Sequence, residues 1–148
     1  MNNTNAHLLI SDIKSRSPLI WNISNFVSMD IAANMLLAIG ASPAMAHAIE
    51  EADAFASICK SINGAATINI GTFDNKWQKC AIKVAKSVSM NNVPWVLDPV
   101  GAGASEYRNK NAIELLNLKP TVLRGNASEI ISLSGIKSSG KGVDSTSS

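Results

Sequence analysis

Hydrophobic and polar residues follow two alternating patterns along this chain: short apolar runs, and longer stretches with apolar residues three or four positions apart. The short runs predict buried strands, and the periodic stretches predict helices with one apolar side. Strands are predicted, in chain order, at residues 18–24, 44–46, 65–71, 93–98 and 121–124. Helices are predicted at residues 28–39, from near residue 50, after a cap at Asp74, at residues 109–118 and at residues 127–133.

This alternation of strands and helices predicts an α/β fold with a mostly parallel sheet covered on both faces, because parallel strands need crossover connections. Such crossovers place the carboxyl ends of the strands along one edge, where open α/β sheets bind ligands. The length of 148 residues and the hydrophobic content of 46% suit one globular domain. We expect that domain at residues 1–136 and a flexible Ser/Gly-rich tail at residues 137–148.

Composition and charge argue against several classes of protein. A net charge of +2 does not favour a nucleic-acid partner, and no apolar run approaches the roughly 20 residues that cross a bilayer. Residues 1–7 are polar and lack the features of a secretory signal. Cys59 and Cys80 have no metal-ligand spacing, so we expect ordinary thiols of a soluble, cytoplasmic protein.

A glycine-rich turn follows the predicted strand that ends at Asp98. Residues 98–103 read Asp-Pro-Val-Gly-Ala-Gly. An acid at the end of a strand can face a metal ion or a metal-bound water, and glycines let backbone N–H groups approach an anion closely. Glycines after a strand also form plain tight connections, so the pattern by itself leaves both interpretations open.

A second strand–turn–helix junction reads Arg-Gly-Asn-Ala-Ser-Glu at residues 124–129. Arg124 is predicted at the end of a strand, where its fork of donors can bind phosphate oxygens. Asn126 with Glu129 three residues later is typical of a capping box at the start of a helix. A Glu in the first helical turn can also face a bound cation, so the two interpretations of Glu129 are compatible.

The turns after the first two predicted strands carry polar and soft side chains, at residues 22–25 and 42–47. Such segments can line a pocket for a small aromatic ligand, with Asn25 giving directional hydrogen bonds and Met45 a polarizable wall. Pattern alone favours a simpler arrangement, in which Met45 packs in the core and His47 is exposed. From the residues alone, the prediction stops at an α/β domain that binds a nucleotide or a small molecule.

Several segments, taken together and in order, resemble those of hydroxyethylthiazole kinases. They are PLIWNISNFVSMDIAANMLLAIGASPAMAHAIEE, INIGTFDNKW, VPWVLDPVGAGAS, KPTVLRGNASEI and KGVDS, and they span residues 18–145. The resemblance implies a ribokinase-like three-layer α/β fold with its carboxy-terminal part missing. It also implies ATP-dependent phosphorylation of the hydroxyl of hydroxyethylthiazole, in thiamine biosynthesis and salvage.

The resemblance further assigns roles to five residues. Asn25 and Met45 would line the thiazole pocket, and Arg124 would contact the phosphates of ATP. Asp98 and Glu129 would help to hold Mg²⁺ and its waters, which suits phosphoryl transfer. Members of the family are typically homotrimers, with each active site formed between neighbouring subunits.

The chain departs from the family pattern in two places. The family's G-x-G-C anion-hole loop and its ATP-contacting threonine lie beyond KGVDS, so no catalytic residue is assigned. Neither Cys59 nor Cys80 takes the role of the cysteine in that loop. Trp21 stands where the family usually has a histidine, which would change a wall near the substrate pocket.

Three functional hypotheses follow from these observations. In the first, the chain is part of a hydroxyethylthiazole kinase, and the 148-residue polypeptide alone is expected to be inactive. In the second, it is a non-catalytic short form that binds the thiazole or a full-length subunit. In the third, it belongs to a ribokinase-like kinase for another small alcohol, which the SPAMAH and LRGNASE segments disfavour.

Overall fold

A computed structural model describes residues 3–135, and the predicted tail at residues 137–148 lies outside that range. Within it the strands are β1 Leu19–Ile23, β2 Ser42–Ala44, β3 Ala65–Asn69, β4 Trp95–Asp98 and β5 Val122–Leu123. The helices are α1 Asn3–Arg16, α2 Met29–Ala38, α3 Ala52–Ser61, α4 Asn75–Met90, α5 Glu106–Leu116 and α6 Ala127–Leu133, with a 3₁₀ turn at Ile49–Glu51 before α3. None of the helices in this range is long and apolar enough to cross a membrane.

The five strands form one sheet in the order β2-β1-β3-β4-β5, and every neighbouring pair is parallel. The predicted α/β fold with a mostly parallel sheet is therefore confirmed. From β1 the chain first adds β2 on one side and then crosses to add β3 on the other. This reversal is a topological switch point, the place where open α/β sheets form a ligand crevice at the carboxyl ends of their strands.

Most predicted elements occur near their predicted positions, and one of the differences has a clear local cause. Helix α6 has the predicted bounds, and Asp74 caps α4 as predicted by accepting from the N–H of Trp77. Helix α5 begins at Glu106 instead of residue 109, because the Ser105 hydroxyl accepts from the N–H of Arg108 and caps the helix earlier. Strand β2 spans residues 42–44 instead of 44–46.

Helix α1 is an element that the hydrophobic pattern did not predict. Its consecutive apolar residues Leu8, Leu9 and Ile10 are all largely exposed, so they form no buried stripe at helical spacing. Helix α2 was predicted, but none of its residues is buried, and Ile31 and Met35 are exposed. Both helices leave apolar surface uncovered within the described residues.

One face of the sheet is apolar and closely packed. Alternate side chains along β1, β3 and β4 join one buried cluster with side chains of α3, α4 and α5. The cluster members from the strands, together with Ile70 just after β3, are Trp21, Ile23, Ala66, Ile68, Ile70, Trp95 and Leu97. Burial of apolar surface at about 25 cal/mol per Å² makes this layer the main source of stability.

The opposite face of the same strands is much more polar. The side chains that alternate with the buried ones include those of Asn22, Thr67, Asn69 and Asp98, and residues of α2 pack on the same side. The short apolar runs predicted buried strands in a sheet covered on both faces, and the polar side chains on this face differ from that prediction. The polar face is tolerated because it lines a crevice instead of a second dry core.

We predict that Ile68→Ala lowers the free energy of unfolding by about 2–5 kcal/mol, because Ile68 is fully buried at the centre of the packed face. Chemical denaturation with urea measures this change. Ile62→Ala is the matched control, because Ile62 is 53% exposed and its loss is expected to cost about 0.5 kcal/mol or less. Equal effects of the two substitutions would contradict the assignment of the core to this face.

Candidate functional site

A crevice opens at the switch point, at the carboxyl ends of β1, β3 and β4. Its volume is about 330 Å³, near the lower end of the range for small-molecule sites. Ser24, Asn69, Asp98 and Arg124 are among its lining residues. A larger cleft of about 590 Å³ lies between the 3₁₀ turn and α4, but neither Asp98 nor Arg124 lines it. The predicted edge of the sheet therefore carries the crevice with the candidate chemistry.

The Asp98 carboxylate is the central charged group of this crevice, and its side chain is only 16% exposed. Its Oδ2 atom accepts from Asn69 Nδ2 and from Arg124 Nη1, each at 2.9 Å. Its Oδ1 atom is buried and has no hydrogen-bond partner among the described residues. Burial raises the pKa of Asp98 above its ordinary value, and the Arg124 guanidinium opposes that rise. A bound cation would satisfy the unpartnered oxygen.

Arg124 lies at the mouth of the crevice, directly after β5. Its side chain is 73% exposed, and one guanidinium nitrogen donates to Asp98. Water screens the Arg124 end of this ion pair, which weakens its contribution to stability. Most of this side chain is open to solvent, so its other donors are accessible to an anion.

Glu129 is buried and ties the glycine-rich turn to helix α6. Its Oε1 atom accepts from the N–H of Gly101 at 3.0 Å, and its Oε2 atom accepts from the N–H of Asn126 at 2.9 Å. Asn126 Oδ1 accepts in return from the N–H of Glu129, so the predicted capping box is confirmed. Gly101 has a φ of +79°, a left-handed conformation that favours glycine.

Asn25 is buried, and its side-chain amide shapes the turn before α2. Its Oδ1 atom accepts from the N–H groups of Val27 and Ser28 at 2.9 and 3.0 Å, and its Nδ2 atom donates to Asn69 Oδ1 at 2.6 Å. A Cβ atom on Gly71 would lie 2.6 Å from Asn25 Nδ2, so only glycine fits there. Both ends of the Asn25 amide are thus hydrogen-bonded within the protein.

The segment after β1 is held from two sides at Ser24. Its N–H donates to His47 Nε2 at 3.1 Å, and its carbonyl accepts from Trp77 Nε1 at 2.9 Å. Because Nε2 accepts, the ring of His47 is neutral and its Nδ1–H donates to the Met45 carbonyl at 2.8 Å. The pattern favoured an exposed His47, but the side chain is half-buried. Burial lowers the pKa of His47.

Met45 is half-buried and follows β2, the edge strand. Strands β1 and β3 separate β2 from β4, so Met45 lies roughly 14 Å from the end of the strand that carries Asp98. Trp21 is fully buried on the apolar face, 5.3 Å from the ring of Phe55, and its Nε1–H donates to the Ala46 carbonyl. Trp21 therefore contacts the turn beside Met45 but does not line the crevice.

Two residues that organise the site were not singled out from the sequence. Arg108 Nη1 donates to the carbonyls of Ile70 and Val100, and its Nη2 donates to that of Gly71, at 2.7 to 2.9 Å. An arginine near the start of a helix normally predicts a solvated side chain, so no signal identified it. Asn69 is a polar residue at the end of an apolar strand, and the same signal singled out the acid at the end of β4.

The described residues contain no group of three or more His, Cys, Asp or Glu side chains that could hold a metal ion. Burial, and to a smaller extent the nearby Glu129 carboxylate, raises the pKa of Asp98, while Arg124 lowers it. Two carboxylates with one unpartnered oxygen fit Mg²⁺, which keeps several waters and takes other oxygen ligands from a bound phosphate. A cation with an all-protein ligand set does not fit these residues.

The fold and the crevice define a class: an α/β protein with a polar ligand site at the carboxyl edge of a parallel sheet. Within that class, the model of the hydroxyethylthiazole kinase family matches residues 10–148. The chain belongs to the hydroxyethylthiazole kinase family, as the sequence resemblance predicted.

Individual relatives agree with this assignment. A hydroxyethylthiazole kinase of Roseobacter denitrificans is 50% identical over 139 residues, which cover 94% of this chain and 52% of the relative. A second hydroxyethylthiazole kinase, of Rhizobium rhizogenes, is 50% identical over 137 residues, which cover 93% of this chain and 50% of that relative. The structure of a hydroxyethylthiazole kinase protein from Pyrococcus horikoshii OT3 has 43% identity and a TM-score of 0.80, covering 85% of this chain and 48% of that one. The chain spans about half the length of the relatives it matches.

We predict that the free energy of unfolding falls as the pH drops below the ordinary histidine pKa of 6.5, because the folded state holds His47 neutral while the unfolded state takes up the proton. Protonation would also remove the acceptor for the Ser24 N–H. Urea denaturation between about pH 7.5 and 5.5 measures this slope. His47→Gln is expected to flatten it, whereas His7→Gln, at the chain's other histidine, leaves it unchanged. A slope unaffected by His47→Gln would refute the role of the neutral ring.

We predict that Glu129→Gln lowers the free energy of unfolding by about 1–3 kcal/mol, because an amide nitrogen cannot accept from a backbone N–H and one buried donor loses its partner. Glu114→Gln, on the exposed side of α5, is the control and should change stability by about 0.5 kcal/mol or less. Thermal unfolding of both variants compares the two. If the two variants unfold at the same temperature, the Glu129 carboxylate does not hold the glycine-rich turn.

Proposed function

We propose that this chain supplies the metal and phosphate side of an enzyme that phosphorylates the hydroxyl of hydroxyethylthiazole with ATP and Mg²⁺, a reaction of thiamine biosynthesis and salvage. Family membership supports the reaction. The observation that carries the site assignment is the buried, unpartnered Oδ1 of Asp98 beside the exposed guanidinium of Arg124. A carboxylate oxygen and a cationic fork, side by side in a crevice, match a metal-bound polyphosphate.

Each charged residue has a separate task in this proposal. Asp98, with its unpartnered Oδ1, would hold Mg²⁺, and Glu129, whose two oxygens already accept backbone N–H groups, would contribute less directly. Arg124 contacts the phosphates of ATP at the crevice mouth. In phosphoryl transfer the protein mainly positions the reactants and neutralises charge on the transferred group, and Mg²⁺ supplies part of that neutralisation when bound. The protein residues named here orient the phosphates and do not form covalent bonds.

The thiazole side of the proposal involves Asn25 and Met45. Asn25 acts by holding the turn before α2, because its amide is committed to Val27, Ser28 and Asn69. Met45 is remote from Asp98 within one chain. A pocket that uses both the end of β2 and the crevice would therefore be completed by a neighbouring copy.

Two wider features of the proposal follow from this arrangement. A homotrimer suits a site shared between copies, and the exposed apolar side chains of α2 provide surface for such an association. The proposed use of ATP and of a thiamine precursor is consistent with the cytoplasm as the location of the enzyme.

We expect Asp98→Asn to weaken binding of Mn²⁺, used as a probe for Mg²⁺, by roughly tenfold or more, since the amide removes the charge that attracts the cation. Arg124→Ala should weaken binding of ATP by roughly tenfold or more, because a charged hydrogen-bond donor is lost. Electron paramagnetic resonance measures Mn²⁺ binding, and calorimetry measures ATP binding in the presence of Mg²⁺. Asp53→Asn is the control, because Asp53 pairs with Lys83 away from the crevice.

Hydroxyethylthiazole is titrated in the same calorimeter to separate the functional hypotheses. If the chain binds the thiazole but no ATP, the non-catalytic hypothesis is favoured over the kinase. If Asp98→Asn and Arg124→Ala bind Mn²⁺ and ATP as well as the Asp53→Asn control does, the assignment of the metal and phosphate site is wrong.

A further inference from the structure

A continuous row of side-chain hydrogen bonds crosses the crevice from the start of α2 to the end of β5. The N–H groups of Val27 and Ser28 donate to Asn25, and Asn25 donates to Asn69 Oδ1 at 2.6 Å. Asn69 Nδ2 then donates to Asp98 Oδ2 at 2.9 Å, and Arg124 donates to the same oxygen from the other side. The row connects the turn before α2 with the carboxylate of the proposed metal site.

The direction of every hydrogen bond in this row is determined by its neighbours. Asn25 Oδ1 already accepts from two backbone N–H groups, so its Nδ2 must face Asn69. Asn69 Oδ1 accepts from Asn25 and also from the N–H of Gly71 at 2.9 Å, so its own Nδ2 must face Asp98. Because an amide has separate donor and acceptor ends, all donors point toward the carboxylate.

Asn69 is the link in this row that joins the two halves of the crevice. Strand β3 lies between β1 and β4, and Asn69 pairs in register with Asp98. By donating to Oδ2 together with Arg124, it fixes the carboxylate so that Oδ1 remains without a protein donor. The same amide holds Asn25, and through it the turn at residues 25–28.

We propose that Asn69 is a positioning residue: it orients the Asp98 carboxylate so that Oδ1 is presented to a cation, and it couples that carboxylate to the turn before α2. The value of this coupling for catalysis rests on the proposed function, but the coupling itself does not. A change at the metal side is transmitted to the turn on the substrate side, and the reverse also holds, since coupling between two sites is reciprocal.

The coupling is tested by amide hydrogen exchange at Val27 and Ser28, measured by NMR. Asn69→Leu, which keeps the size but removes the three side-chain hydrogen bonds to Asn25, Gly71 and Asp98, is expected to accelerate exchange at these two amides by about fivefold or more. Asn111→Leu is the matched control, because Asn111 is another side-chain amide with both ends bonded, to Gln78 and Tyr107, and it does not line the crevice. Equal exchange in the two variants would overturn the proposal.

A second measurement starts from a change at Asp98 instead of Asn69. Asp98→Ala is expected to accelerate exchange at Val27 and Ser28 when Asn69 is present and to add nothing in Asn69→Leu. If Asp98→Ala leaves both amides unchanged, Asn69 does not couple the two sides, and the proposal fails even where Asn69→Leu does not fold.

The orienting role is tested by Mn²⁺ affinity. Asn69→Leu should weaken Mn²⁺ binding by roughly tenfold, while Asn111→Leu leaves it unchanged. Unchanged Mn²⁺ affinity in Asn69→Leu, with normal binding by the unsubstituted protein, refutes the orienting role. If the unsubstituted protein binds no Mn²⁺, the proposed metal site fails and the orienting role fails with it. In that case the exchange experiment still tests the coupling, because it does not depend on metal binding. Failure of the metal site can therefore be distinguished from failure of the coupling.

Discussion

The opposite chemistry of the two faces of β1, β3 and β4 is the constraint on which the rest of the structure depends. Side chains along a strand alternate between faces with a period of two. One set packs against α3, α4 and α5 in the buried cluster, and the other set contains Asn22, Thr67, Asn69 and Asp98. A slip of one residue in register would exchange the two sets. The packing of the apolar face therefore also aligns the polar groups of the crevice.

The polar face carries a thermodynamic cost that the apolar face offsets. Asp98 is held mostly out of water with one oxygen lacking a protein donor, although a neutral side chain of similar shape would be easier to bury. Glu129 shows the contrasting case, because both of its oxygens accept backbone N–H groups. Of the two carboxylates, only Asp98 has an oxygen without a hydrogen-bond partner among the described residues, and a buried polar atom of this kind calls for an explanation other than stability of the fold.

The sequence predicted the fold well because periodicity and helix caps are local signals. The hydrogen bonds within the site, in contrast, join residues that are far apart in the sequence. Periodicity and caps located the strands, α6 and its capping box, and family resemblance selected Asp98, Arg124 and Glu129. The bond between Asn25 and Asn69 joins residues 44 positions apart, and no local pattern encodes such a pairing. Helix α1 was missed because its apolar residues are exposed. The roles of the assigned site residues remain predictions.

The Arg108 guanidinium has an electrostatic consequence beyond its structural role. Its three hydrogen bonds end on the carbonyls of Ile70, Gly71 and Val100, which are uncharged. The full positive charge therefore persists beneath the carboxyl edge of the sheet, where α5 begins. Such a charge raises the local concentration of anions and speeds their diffusional encounter with the crevice, an effect that weakens as ionic strength increases. The residue that holds two turns together thus also places a positive charge beside them.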